Sequence, residues 1–220
     1  MNIRNFAFVA AFSAVAAFGQ VGSFGDSAFQ IKYVSNLAIG DSVINFSNAG
    51  TSSDTAFVTP GGAQNGDVCA NVYAYSPDEQ LVSCCSCNVT PNALNSLSAK
   101  NDLASNTLTP IIPSALVIKL LVTAGGTSCT ASSAATAGDA THPLLAGLLA
   151  WGTTIHALPV TAGTPATTYG VTETAFSTPI SLSDAELTRM TQLCAFIRAN
   201  GSGYGICKSC KVGGLGAATK

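Results

Sequence analysis

Where hydrophobic and polar positions alternate in this chain, they do so mostly with a period of two. Phe29-Gln30-Ile31-Lys32-Tyr33-Val34 sets Phe, Ile and Tyr against Gln and Lys, the pattern of a half-buried strand. Ser42 to Ser47 predicts a second strand, closed by Asn48-Ala49-Gly50, and the Ser/Thr/Gly-rich stretch from Thr51 to Gly66 predicts a loop. Two further strand-like runs flank the turn Ser76-Pro77-Asp78-Glu79-Gln80 and together hold Cys69, Cys84, Cys85 and Cys87. Pairing Tyr75 with Leu81 across that turn sets Cys69 opposite Cys87, at the short end of disulfide geometry. In that register Cys84 shares a face with Val68, Ala70, Val72, Ala74 and Val82. Cys85 then lies on the other face, so the two adjacent cysteines need different partners.

Downstream, Thr90-Pro91 resembles a helix cap followed by proline, and Leu94 and Leu97 fit one helical turn. Ser114 to Ala124 is apolar on both faces apart from Lys119, which predicts a central strand. Pro143 to Trp151 predicts a short helix, Thr153 to Leu158 a strand, and Thr167 to Thr172 an edge strand within a loop. The clearest helix begins at the capping box Ser183-Asp184-Ala185-Glu186 and stops at Gly201. Leu187, Met190, Cys194 and Ile197 form its apolar stripe, with Leu193 and Phe196 beside it. Cys194 therefore faces the core, and Cys84 is its expected partner. The fold class that follows is mainly β: a sandwich of antiparallel sheets with one C-terminal α-helix, cross-linked by disulfides.

Composition changes this picture in one respect. Charged residues make up 9% of the chain, against roughly 25% in ordinary soluble domains. A surface of Ser, Thr, Asn, Ala and Gly has little self-repulsion and tolerates contact with copies of itself. The net charge of −2 and the lack of a basic cluster argue against nucleic acid as a partner. Arg4 followed by the apolar run Phe6 to Phe18 and by Ala17-Phe18-Gly19 reads as a signal peptide over 1–19. Residues 20–220 are then one secreted β-rich domain with a mobile tail over 211–220. No later segment is long and apolar enough for a transmembrane helix, and the expected location is extracellular or at the cell surface.

Behind such a leader the cysteines Cys69, Cys84, Cys85, Cys87, Cys129, Cys194, Cys207 and Cys210 imply disulfides, although eight cysteines allow 105 connectivities. Cys207-Lys208-Ser209-Cys210 matches the C-x-x-C of redox enzymes, but it follows a helix in a Gly-rich segment, where structural bridging is the better reading. A zinc or iron–sulfur site built from Cys84, Cys85, Cys87, Cys207 and Cys210 competes with oxidation during export. No cofactor or metal is expected.

Gly40 to Gly50, Asn71 to Cys87 with its Cys-Cys-x-Cys, and Gly203 to Cys210 resemble one family. It consists of exported, cysteine-rich proteins of soil bacteria that occur as many paralogues without an assigned activity. The similarity covers most of the mature chain and implies secretion and a shared disulfide frame. It supplies no catalytic residues.

Catalytic candidates are few. His142 and His156 are the histidines, G-x-S-x-G and H-E-x-x-H are missing, and Asp78 and Glu79 sit together in a turn. The expectation is a non-enzymatic extracellular structural protein, a filament, surface-layer or matrix subunit that partners itself. Its assembly strand would carry Phe29, Ile31 and Tyr33, if that strand pairs with a neighbouring subunit and not within its own sheet. The alternative is a carbohydrate- or surface-ligand-binding module with a platform of Tyr73 and Tyr75, joined by Trp151 and Tyr169.

Overall fold

The computed structural model describes residues 28–51, 66–125, 129–131, 144–159, 168–179, 182–208 and 210–212. The expected leader and the 51–66 loop, apart from its two ends, lie outside them.

Strands β1 (Phe29–Val34), β2 (Val43–Asn48), β3 (Val68–Tyr75), β4 (Leu81–Val89), β5 (Leu94–Ser98), β6 (Leu116–Ala124), β7 (Leu148–Ala157), β8 (Tyr169–Ala175) and β9 (Lys211–Val212) form two antiparallel sheets. One runs β1-β6-β3-β4 and the other β8-β7-β2-β5-β9. Helix α1 (Asp184–Ala199) covers the outer face of the first sheet. Sequence patterning thus resolves into three layers.

Two cores follow from that layering. Val68, Ala70, Val72, Val89, Leu116, Ile118 and Leu120 meet Ile44, Phe46, Leu97 and Leu148 between the sheets. On the far side Tyr73, Tyr75, Leu81, Cys84 and Leu121 meet Leu187, Met190, Cys194 and Ile197 of α1. Each fully buried aliphatic side chain contributes about 1.5–3 kcal/mol. Because the first sheet is covered on both faces, every residue of β3 is buried. Helix α1 starts as its capping box requires, with Ser183 accepting from the Glu186 amide, and Gly201 follows its end at φ +67°.

The hairpin register differs from the expected one. Tyr75 pairs with Leu81, but Ala74 pairs with Ser83, so Val82 is an extra residue in β4. The shift sets Cys69 opposite Asn88 and Ala70 opposite Cys87. Cys69 and Cys87 therefore do not pair. It also exchanges the cysteine faces: Cys85 and Cys87 join Val68, Ala70, Val72 and Ala74 between the sheets, while Cys84 joins Tyr73 and Tyr75 under α1.

Other elements need correction. Leu94 and Leu97 lie in a strand, since Thr90–Ala93 closes a turn and Leu97 alternates into the core. Of the helix expected over 143–151, Leu148 to Trp151 instead open β7, and Leu144 forms an isolated bridge with Thr123. There Leu148 is buried and Leu149 is 40% exposed, an alternation hidden by the density of leucines. The edge strand near 167–172 is present but slides to Tyr169–Ala175. Lys211 and Val212, expected in a mobile tail, pair with Ser96 and Asn95. A π-helical segment, Ala99–Ala104, follows β5 and is fixed reciprocally. Ser98 Oγ accepts from the Asn101 amide, and Asp102 Oδ2 accepts from the Ser98 amide, both at 2.7 Å.

Strand β1 inverts the simple reading of its alternation. Gln30 and Lys32 point between the sheets and are buried, while Tyr33 is 55% exposed. Gln30 Nε2 donates to the Leu148 carbonyl at 2.6 Å, and Lys32 Nζ donates to Thr174 Oγ1 at 2.6 Å. Burial lowers the Lys32 pKa from its ordinary value, and nearby Glu173 opposes that shift.

Candidate functional site

Among the described residues, the densest chemistry lies along β4 and the C-terminal segment beside it. Gly205 to Cys207 runs against the free edge of β4, with Ile206 bridged in parallel to Cys84. The Cys84 amide donates to the Gly205 carbonyl at 2.9 Å, and the Cys207 amide to the Cys84 carbonyl at 3.4 Å. Asn106 Nδ2 donates to the carbonyls of Gly203 and Ile206, and the Lys208 amide donates to that of Asp102. Gly205 sits at φ +73°, and a Cβ there would lie 2.7 Å from Ile197 of α1. Only glycine lets the segment pass so close beneath the helix.

Three of the four disulfides converge on this region. Cys84 pairs with Cys194, the partner expected from the helix stripe, at a Cα separation of 5.9 Å. Cys85 pairs with Cys207 and Cys87 with Cys210, at 5.4 and 5.5 Å. Cys69 pairs with Cys129, also at 5.5 Å. The C-x-C of β4 and the C-x-x-C of the C-terminal segment thus form two parallel rungs. The Sγ atoms of Cys85, Cys87 and Cys210 all lie within 4.8 Å of one another. Cys85 and Cys87 are buried, Cys207 is half-buried and Cys210 is exposed.

The proposed tyrosine platform is not formed. Tyr73 and Tyr75 are 0% and 4% exposed, because α1 covers the face of the sheet on which they stand. Tyr73 donates its hydroxyl to the Ala131 carbonyl at 2.6 Å, and burial pushes its pKa up. Tyr75 has a buried hydroxyl without a hydrogen-bond partner. Burial first, and then the Glu186 carboxylate, push its pKa up to about 12, with Arg189 opposing. Lys119 Nζ lies 4.9 Å above the Tyr75 ring and 2.5 Å from Glu186 Oε1, so the sheet's one outward lysine clamps the helix's first turn. Trp151 and Tyr169 are half-buried in the other sheet, away from this pair.

Strand β1 pairs with β6 of its own chain from Phe29↔Leu121 to Val34↔Leu116. On its other side Ile31 exchanges two backbone hydrogen bonds with Ser177, each 2.8 Å. Phe29, Ile31 and Tyr33 are therefore placed in an intramolecular strand. His156 lies half-buried in β7 opposite Gly170, and His142 falls outside the described residues. Asp78 accepts from Ser76 Oγ and from Gln80 Nε2, which assigns it to shaping the hairpin turn.

Sequence reasoning missed Asn106, Gly205 and the segment they position. The only signal available was that C-x-C on a strand presents two sulfurs on one face, matched by a second cysteine pair. No family model, curated protein or solved structure matches the chain.

Proposed function

We propose that this is an extracellular, non-enzymatic structural protein that assembles with copies of itself into a filament, surface-layer or matrix. The observation that carries the reading is strand β8. It ends the second sheet, and Val171 to Ala175 are exposed along it, with Val171 at 64%. Among the described residues no strand pairs with its outer edge, and such an edge accepts another strand unless charge or a bulge blunts it. Glu173 is its one charged residue. The low overall charge, the four long-range disulfides and the leader-like N-terminus support a durable protein outside the cell. Assembly by a donated β1 is set aside, since β1 is paired within its own chain.

Sedimentation and negative-stain microscopy of the oxidised protein test this reading. The expected result is concentration-dependent association that Val171→Lys abolishes while the monomer's thermal unfolding is unchanged. A monodisperse monomer at high concentration would sink the structural assignment. Association insensitive to Val171→Lys would place the contact elsewhere.

A further inference from the structure

The sulfurs of Cys85, Cys87 and Cys210 lie within 4.8 Å of one another and that of Cys207 is bonded to Cys85, on two backbone segments that hydrogen bonds also join. The edge bonds of Gly205 and Cys207 to Cys84, the Asn106 bonds, the Lys208–Asp102 bond and the β5–β9 pairing join the same segments without using a sulfur atom. We propose that the protein with these two disulfides reduced binds one zinc ion through the thiolates of Cys85, Cys87, Cys207 and Cys210.

Geometry and access both favour it. A tetrahedral zinc with bonds of about 2.3 Å to sulfur needs its ligands roughly 3.8 Å apart. Reduction lets each bonded sulfur pair open to that spacing, and the sulfurs of Cys85, Cys87 and Cys210 already lie within 4.8 Å of one another. A strand supplying C-x-C and a segment supplying C-x-x-C give two chelating arms, and the ion closes across them the same long loop that the two disulfides close. Cys210 is exposed and Cys207 half-buried, so a reductant reaches this pair of bridges. Cys84 and Cys194 are both 0% exposed on the opposite face of β4, so the bridge that docks α1 is shielded.

The chemistry balances with a dithiol as reductant. Each protein disulfide accepts two electrons and two protons from one dithiol, which leaves as its own cyclic disulfide. The four thiols then release four protons as zinc binds, giving a tetrathiolate of net charge −2. Exchange with two equivalents of an oxidised cyclic dithiol reverses this: each accepts two electrons and, with two protons from solvent, becomes a dithiol again, while the two protein disulfides form and the ion leaves. Zinc would hold the C-terminal segment on β4 before those bridges exist.

Limited reduction with dithiothreitol, removal of the reagent without oxygen, and titration with Co2+ and then Zn2+ test the proposal. The expected result is one equivalent of Co2+ with the visible bands of tetrahedral thiolate coordination, displaced by Zn2+. Zinc should also protect Cys85, Cys87, Cys207 and Cys210 from alkylation, as mapped by peptide mass. The Cys87→Ser/Cys210→Ser variant, treated alike, should lose the bands. Equal binding by the fully oxidised protein, protection of Cys84 and Cys194 instead, or unchanged bands in the variant would each overturn it. So would a reduced protein that binds no cobalt while keeping its circular dichroism. Loss of that signal on reduction, not restored by zinc, would equally contradict a preorganised site.

Discussion

Cys84 and Cys85 are consecutive in β4 and leave it on opposite faces, one bonded to Cys194 of α1 and the other to Cys207 of the C-terminal segment. A strand's period of two turns this dipeptide into a junction between layers. Its first sulfur fixes the helix to the sheet, and its second closes the interior beneath the segment that runs along the β4 edge.

The helix bridge spans 110 residues. Loops of that order reduce the entropy of the unfolded chain enough to stabilise the fold by about 4–5 kcal/mol in the chain-entropy account. The Cys84→Ala/Cys194→Ala variant should lose about 2–5 kcal/mol in urea unfolding without reductant. The remaining contacts of Leu187, Met190 and Ile197, with the Lys119–Glu186 pair, should keep α1 formed, so far-UV circular dichroism at neutral pH should stay close to that of the parent.

The Val82 bulge leads to a less obvious expectation. On either side of it the ladder is regular: Tyr75↔Leu81 before, Ala74↔Ser83 and Tyr73↔Cys84 after. Deleting Val82 should leave every later residue of β4 on its present face. The cost is one buried valine, about 1.5–3 kcal/mol, and peptide mapping should recover the same four disulfides. A scrambled map in the deletion variant would mean that the bulge itself specifies cysteine pairing.

That bulge also shows how far the sequence could be read. Strand alternation, the capping box and the Leu187–Met190–Cys194–Ile197 stripe each express one local rule, and the layers they form are those the pattern implied. The hairpin cysteines were harder, because one extra residue in β4 reverses the face of every residue after it, and sequence has no local mark for it. Tyr73 and Tyr75 looked like a platform because alternation was read as one dry and one wet face. Helix α1 covers the second face, and only tertiary structure shows which sheet is covered twice. Gln30 and Lys32 failed as outward residues for the same reason: their buried amide and ammonium are satisfied by Leu148 and Thr174, more than a hundred positions away. The association of Cys85 and Cys87 with Cys207 and Cys210 depends on a parallel edge contact that has no periodic signature.

The two buried tyrosines make opposite predictions at neutral pH and the same one in base. Tyr73 donates to Ala131, so Tyr73→Phe leaves a buried carbonyl unpaired and should cost about 1–3 kcal/mol. Tyr75 has a buried hydroxyl without a partner, and Phe keeps the ring beneath Lys119, so Tyr75→Phe should be neutral or stabilising by about 1 kcal/mol. In alkali the folded Tyr75 holds its proton up to about pH 12, and Tyr73 holds its own more strongly still. The unfolded tyrosines release theirs near pH 10. Between those values the folded state binds more protons than the unfolded one, so stability is full below about pH 10 and falls as pH rises. The fall should approach about 1.4 kcal/mol per pH unit for each tyrosine at most. Urea unfolding from pH 8 to 12 should show this decline in the parent, with a shallower slope in Tyr75→Phe and in Tyr73→Phe. A parent midpoint that stays level up to pH 12 would mean that both phenols reach solvent, and the packing of α1 over them would have to be abandoned.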